Sequence, residues 1–124
     1  MKKFLSAISP YAHWPIRLSL AATFLYHGYG KFPVADFAAV MGMAAPLAWA
    51  VAISELVAGV ALLAGAFTKD IITRLGAAIV VVIMIGAIFM VHLKNGFDVM
   101  NGGMEFQLLM LATGLYLLVK GNDV

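Results

Sequence analysis

The side chains able to do chemistry in this sequence are few, and most stand inside apolar stretches: Arg17, His27, Glu55, His92 and Glu105, with Lys31 at the close of the first stretch. Glu55 is the most informative. On a helix its own face carries Ala48, Ala52 and Gly59, small residues that allow a second helix close by, so its carboxyl is expected to point into protein rather than lipid. His27 shares a face with Thr23 and Lys31 at four-residue spacing, which suggests a polar stripe directed inward. An imidazole, an ammonium and a carboxylate at one depth would offer a proton donor and an acceptor to a small polar group in an otherwise apolar slot. The alternative for Glu55 is a purely structural ion pair or hydrogen bond with Lys31 or His27, and for His27 a satisfied packing histidine. His92 and Glu105 fall near the outer boundary, where they either line the mouth of such a slot or are ordinary interfacial residues. Arg17, Lys69 and Arg74 are assigned to topology, the two arginines lying within a turn of the cytoplasmic face and able to snorkel to headgroups, with reach into the bundle the alternative for Arg17.

Several other chemistries are excluded or disfavoured. Cysteine is absent, which removes disulfides, thiolate metal sites and thiol nucleophiles. Gly28-Tyr29-Gly30-Lys31 lacks the spacing and the Ser/Thr of a phosphate loop and suits a helix end. Met41, Met43, Met90, Met100 and Met104 gather toward the outer side and with His92 could bind soft Cu(I), but packing is the simpler role and copper is disfavoured; no metal site is assigned. Haem between His27 and His92 is disfavoured because their depths differ by roughly 10 Å. Basic residues are scattered between apolar runs rather than gathered on a face, so no nucleic-acid partner is expected.

The elements that must position these groups follow from composition. Hydrophobic residues make up 64% of the chain and charged residues 11%, with mean hydropathy +1.00, far from the balance of a water-soluble domain. Lipid solvates such a surface provided each backbone amide is bonded within a helix, so the expectation is a single all-α transmembrane domain over residues 1–124. Four apolar segments, at about 15–30, 45–67, 71–93 and 104–119, are long enough or nearly so for the roughly 20 residues that cross the hydrocarbon. They predict an integral membrane four-helix bundle with short connections. Lys2, Lys3, Arg17, Lys69, Arg74 and Lys120 fall on one side and Lys31 and Lys94 on the other, a distribution that places both termini inside. Lys3 to Trp14 is expected to be a short interfacial segment, with Trp14 as its anchor. On this topology His27, Glu55 and Glu105 stand roughly 18 to 21 Å above the cytoplasmic end.

Arg17 in the first segment, Gly28-x-Gly30-Lys31 closing it, Ser54-Glu55 in the second, Gly65-x-x-Thr68-Lys69 after it, His92 ending the third, Gly102-Gly103-x-Glu105 opening the fourth and Gly121 beyond it resemble the DoxX/DoxD family of small four-helix membrane proteins. Two departures are Lys69, where an arginine is usual, and the lack of a Gly-rich tail after Val124. The resemblance implies a membrane subunit associated with redox, quinone-linked metabolism in a bacterial or archaeal cell membrane. A quinone head group would then lie among His27, Lys31, Glu55, His92 and Glu105, with Glu55 as proton acceptor and His27 as hydrogen-bond donor. Beside this stands an assembly subunit with no ligand chemistry, packing its Gly/Ala faces, Gly76, Gly86 and Gly114 among them, against other membrane subunits or a second copy of itself in the bilayer.

Overall fold

The computed structural model describes residues 1–124. It contains no strand; six α-helices follow one another as α1 (Lys2–Ile8), α2 (His13–Tyr29), α3 (Val34–Met41), α4 (Ala45–Gly65), α5 (Asp70–Ala87) and α6 (Glu105–Lys120). The helical path of α5 continues through a π-helical turn, Ile88–His92, and a 3-10 turn, Leu93–Asn95. The four long helices fall within a few residues of the expected segments. Two are long and apolar enough to cross a membrane: α4, with 21 residues, and the stretch Asp70–Asn95, with 26. With 17 and 16 residues, α2 and α6 lie at the short end of the lengths that cross a bilayer.

Small residues set the packing order. Helix α4 buries Ala48, Ala52, Ala58, Gly59, Leu62 and Gly65 and lies between α2 and α5, while α5 lies between α4 and α6. A Cβ at Gly59 would strike Leu25 of α2, one at Gly76 would stand 3.0 Å from the Ala61 Cβ of α4, and one at Gly114 would stand 2.8 Å from Val80 of α5. Each interface therefore depends on a glycine that admits the neighbouring helix. Gly86, by contrast, has nothing near it. The main core joins Leu20, Phe24, Leu62, Val80, Met84 and Leu117. Helices α2 and α6 touch only lightly, leaving a groove of about 380 Å³ between Pro15, Ser19 and Thr23 on one side and Leu109, Met110 and Thr113 on the other. Large apolar side chains such as Val60, Phe67, Val82, Phe89, Leu109 and Val119 are exposed around the outside.

Two local expectations are corrected. The connection between the first two long helices is not a short loop but contains α3, whose Val34 and Ala38 pack on Ala48 and Ala52 of α4. It begins after Pro33 and ends at Gly42, which takes a left-handed φ of 62°, a conformation that suits glycine. Gly28 is not a helix exit but a buried residue inside α2, where a Cβ would stand 3.1 Å from the Glu55 Cβ.

Candidate functional site

At the end of the bundle farther from the N-terminus, α2 stops at Gly30 and Lys31 enters the turn. Its four-methylene chain reaches α4, where Nζ donates to Glu55 Oε2 at 2.8 Å. The same ammonium donates to the His27 carbonyl at 3.3 Å and lies 5.2 Å from the centre of the Phe37 ring. Glu55 is only 6% exposed and sits where Gly28 brings α2 close, so the pair is largely shielded from solvent screening. Lys31 is one of the residues that line a groove of about 410 Å³, with Tyr26, His27, Tyr29, Gly30 and Phe37. An ammonium has three donors and a carboxylate two oxygens; one Lys31 N–H and Glu55 Oε1 remain without a partner.

The other expected members do not join this pair. The His27 ring is exposed and packs edge-on against Tyr26 at 5.5 Å, so only its backbone meets Lys31. His92 and Glu105 brace the α5–α6 connection instead. The π-helical turn ends on His92, whose Nδ1 lies 2.7 Å from the Gly102 carbonyl and therefore carries the proton there. Asn95 Nδ2 donates to the same carbonyl at 3.2 Å, and Glu105 Oε1 accepts from the Val99 N–H at 3.3 Å. Gly103 is packed so tightly that a Cβ would come within 2.6 Å of the Gly96 carbonyl oxygen. These residues hold a loop shut, and neither His92 nor Glu105 bonds to Lys31 or Glu55.

The opposite end holds a second cation, this one fully buried, that spacing did not reveal. Arg17 does not snorkel outward: it is fully buried. Its Nη1 donates to the Leu62 carbonyl at 2.6 Å and to Thr73 Oγ1 at 2.9 Å, its Nη2 to Asn122 Oδ1 at 3.3 Å, and its Nε to His13 Nδ1 at 3.3 Å. Thr73 in turn donates to Asn122 Oδ1 at 2.7 Å, and Asn122 Nδ2 donates to the Gly65 carbonyl at 2.8 Å. One guanidinium thus ties α2, α4, α5 and the segment after α6, using the fork of donors that lysine lacks. Trp14 is not a free interfacial anchor either. It lies 5.9 Å from the Arg17 guanidinium and stacks with His13 and Phe67, closing the cluster from outside.

Arg74 has its own structural task. It donates to Asp70 Oδ2 at 2.5 Å and to the carbonyls of Leu118 and Val119 at 2.8 and 2.7 Å, satisfying the last turn of α6. Asp70 Oδ1 accepts the Asn122 N–H at 2.6 Å. Gly121, at φ 58°, is required there because a Cβ would overlap Asp70. Lys69 is exposed in the α4–α5 turn. Thr73, Asp70 and Asn122 were not singled out from the sequence; the one available signal was the Asn after Gly121, a polar residue directly following an apolar helix.

The ordered motif residues therefore resolve into three devices: Arg17, Gly65 and Gly121 at the first end, Gly28, Lys31 and Glu55 in the distal half, and His92, Gly102, Gly103 and Glu105 in the closing loop. The family model of DoxX matches residues 13–93. The chain belongs to the DoxX family. No curated protein and no solved structure matches it. The DoxX match spans Arg17, Lys31, Glu55 and His92 and stops short of α6, so Glu105 and Asn122, which complete two of the three devices, lie beyond it. The family is linked with membrane and redox roles, and the two membrane-length apolar helices agree with such a location.

Proposed function

We propose that this DoxX protein is a multi-pass subunit of a bacterial or archaeal cell membrane, with both termini inside, that holds a quinone-type head group in the groove beside Lys31. The observation that carries this reading is the Lys31 ammonium, which lines that groove with one N–H to spare while it holds the Glu55 carboxylate. An ammonium with a free N–H beside a carboxylate suits a ring that carries carbonyl or hydroxyl oxygens. Tyr26, Tyr29 and Phe37 supply apolar and aromatic walls. The proposed contacts are thus Lys31 and Glu55, with His27 at the rim; His92 and Glu105 serve the loop and are not part of the site. Titration of the purified protein with a soluble quinone analogue is expected to show saturable binding that weakens at least tenfold in Lys31→Met and in Glu55→Gln and is unchanged in His92→Ala. Binding that is absent, or equal in all four proteins, would overturn it.

The inward termini rest on the lysine and arginine distribution, six on the N-terminal side against two. Because the chain has no cysteine, Ser6→Cys and Asn101→Cys provide the test: a membrane-impermeant maleimide applied to intact cells is expected to label only the second.

A second reading, an assembly subunit, is favoured by the incompletely closed α2–α6 side. Its groove carries Ser19, Thr23 and Thr113, whose neighbours on both helices include residues short enough for a foreign helix to approach. Retention of a larger membrane complex by the Lys31→Met protein, and its loss when Ser19 and Thr113 are both replaced by Leu, would support that role.

A further inference from the structure

We infer that α1 is an in-plane membrane foot that selects anionic phospholipid headgroups. At about 100° per residue, Phe4, Leu5 and Ile8 of α1 fall on one side of the helix, and Lys2, Lys3 and Ser6 on the opposite side. No residue of α1 is buried: Phe4 is 66% and Leu5 51% exposed, and Tyr11, in the 3-10 turn that follows, is 66% exposed. The apolar face is therefore not part of the bundle, although the bundle's own polar groups at this end are almost all engaged. Trp14, half-buried, is engaged with Arg17 and Phe67, whereas Phe4, Leu5, Ile8 and Tyr11 stand exposed and free to enter the acyl boundary.

Charge decides the occupant. Lys2 and Lys3 flank the apolar face, and the exposed Lys69 and Lys120 belong to the same end of the molecule. Of the acidic residues there, Asp70 is taken by Arg74 and the Asn122 N–H, and Asp123 is the other. An apolar stripe bordered by ammonium groups, beside a surface with surplus positive charge, matches a leaflet whose surface carries negative charge. With its stripe facing the acyl chains, α1 lies flat, and the two lysines extend into the headgroup layer.

The experiment uses the full chain in lipid nanodiscs, with a single environment-sensitive fluorophore attached at Ile8→Cys or at Ser6→Cys. In discs of phosphatidylcholine mixed with phosphatidylglycerol, the label at position 8 is expected to be blue-shifted and shielded from aqueous iodide, and the label at position 6 open to it. In discs of phosphatidylcholine alone, or with Lys2→Gln and Lys3→Gln together, the shielded population is expected to fall by about fivefold per lysine interaction removed. Circular dichroism on each variant checks that the bundle is unchanged. Equal quenching at both positions in anionic discs overturns the proposal, as does shielding that is indifferent to lipid charge. Shielding that appears only with several protein copies per disc overturns it in favour of a contact between chains.

Discussion

The two ends of the bundle each hold a cation against a buried partner, and they compensate it in opposite ways. Lys31 is matched by a carboxylate, Glu55, and keeps a spare donor beside a groove. Arg17 has no carboxylate at all; its acceptors are a carbonyl, a hydroxyl, an amide and an imidazole. Neutral dipoles that are already fixed by other bonds can solvate a guanidinium, but only if several arrive together, which makes Arg17 a device for holding segments in place. An ion pair needs one partner only and so leaves freedom for a ligand to exchange with it. The difference separates a structural end from the end proposed to bind.

That distinction can be broken at its strongest point first. Arg17→Ala is expected to lower stability by about 3–5 kcal/mol, since it removes the shared donor and leaves Thr73, Asn122 and the Leu62 carbonyl to rearrange in a buried space; unfolding in mixed micelles followed by circular dichroism measures it. Glu55→Ala strands the Lys31 ammonium and is expected to cost about 2–3 kcal/mol. In the double variant Lys31→Met with Glu55→Met most of that loss should return, because removing both charges leaves neither unpaired. Failure of the double variant to recover would mean that the pair is not an isolated unit. Asn122→Ala is expected to cost about 1–3 kcal/mol, and in combination with Arg17→Ala to cost clearly less than the sum, because the two share bonds. His27→Gln is expected to change stability by no more than about 0.5 kcal/mol, as an exposed ring without a side-chain hydrogen bond should.

Much of the frame could be read from the chain. The positions of α2, α4, α5 and α6 follow from apolar length, and the small face of α4 located Glu55. The brackets around α3, Pro33 and Gly42, were also visible, but eight residues produce too little periodicity to stand out between long apolar runs. Residue spacing misplaced His27 for a physical reason. Four-residue spacing puts His27 and Lys31 on one face only while the helix continues, and it ends at Gly30; Lys31 then reaches Glu55 by the length of its side chain, which a ring cannot do. Arg17 was assigned to the surface because a basic residue one turn from a helix end usually finds water, and apart from His13 its partners are one backbone carbonyl and two side chains 45, 56 and 105 positions away, for which no local pattern exists. The contributions of His92 and Glu105 depend on turn geometry after Asn95, where glycines rather than periodicity set the path.

The dispersal of the Arg17 partners along the chain has a consequence for biosynthesis. Because Arg17 precedes Leu62, Thr73 and Asn122 in the chain, its guanidinium is made before any of these acceptors, and its set of bonds is complete only once the segment following α6 has folded back. The arginine thus acts as a latch that closes last, and a chain that ends before Asn122 leaves it open.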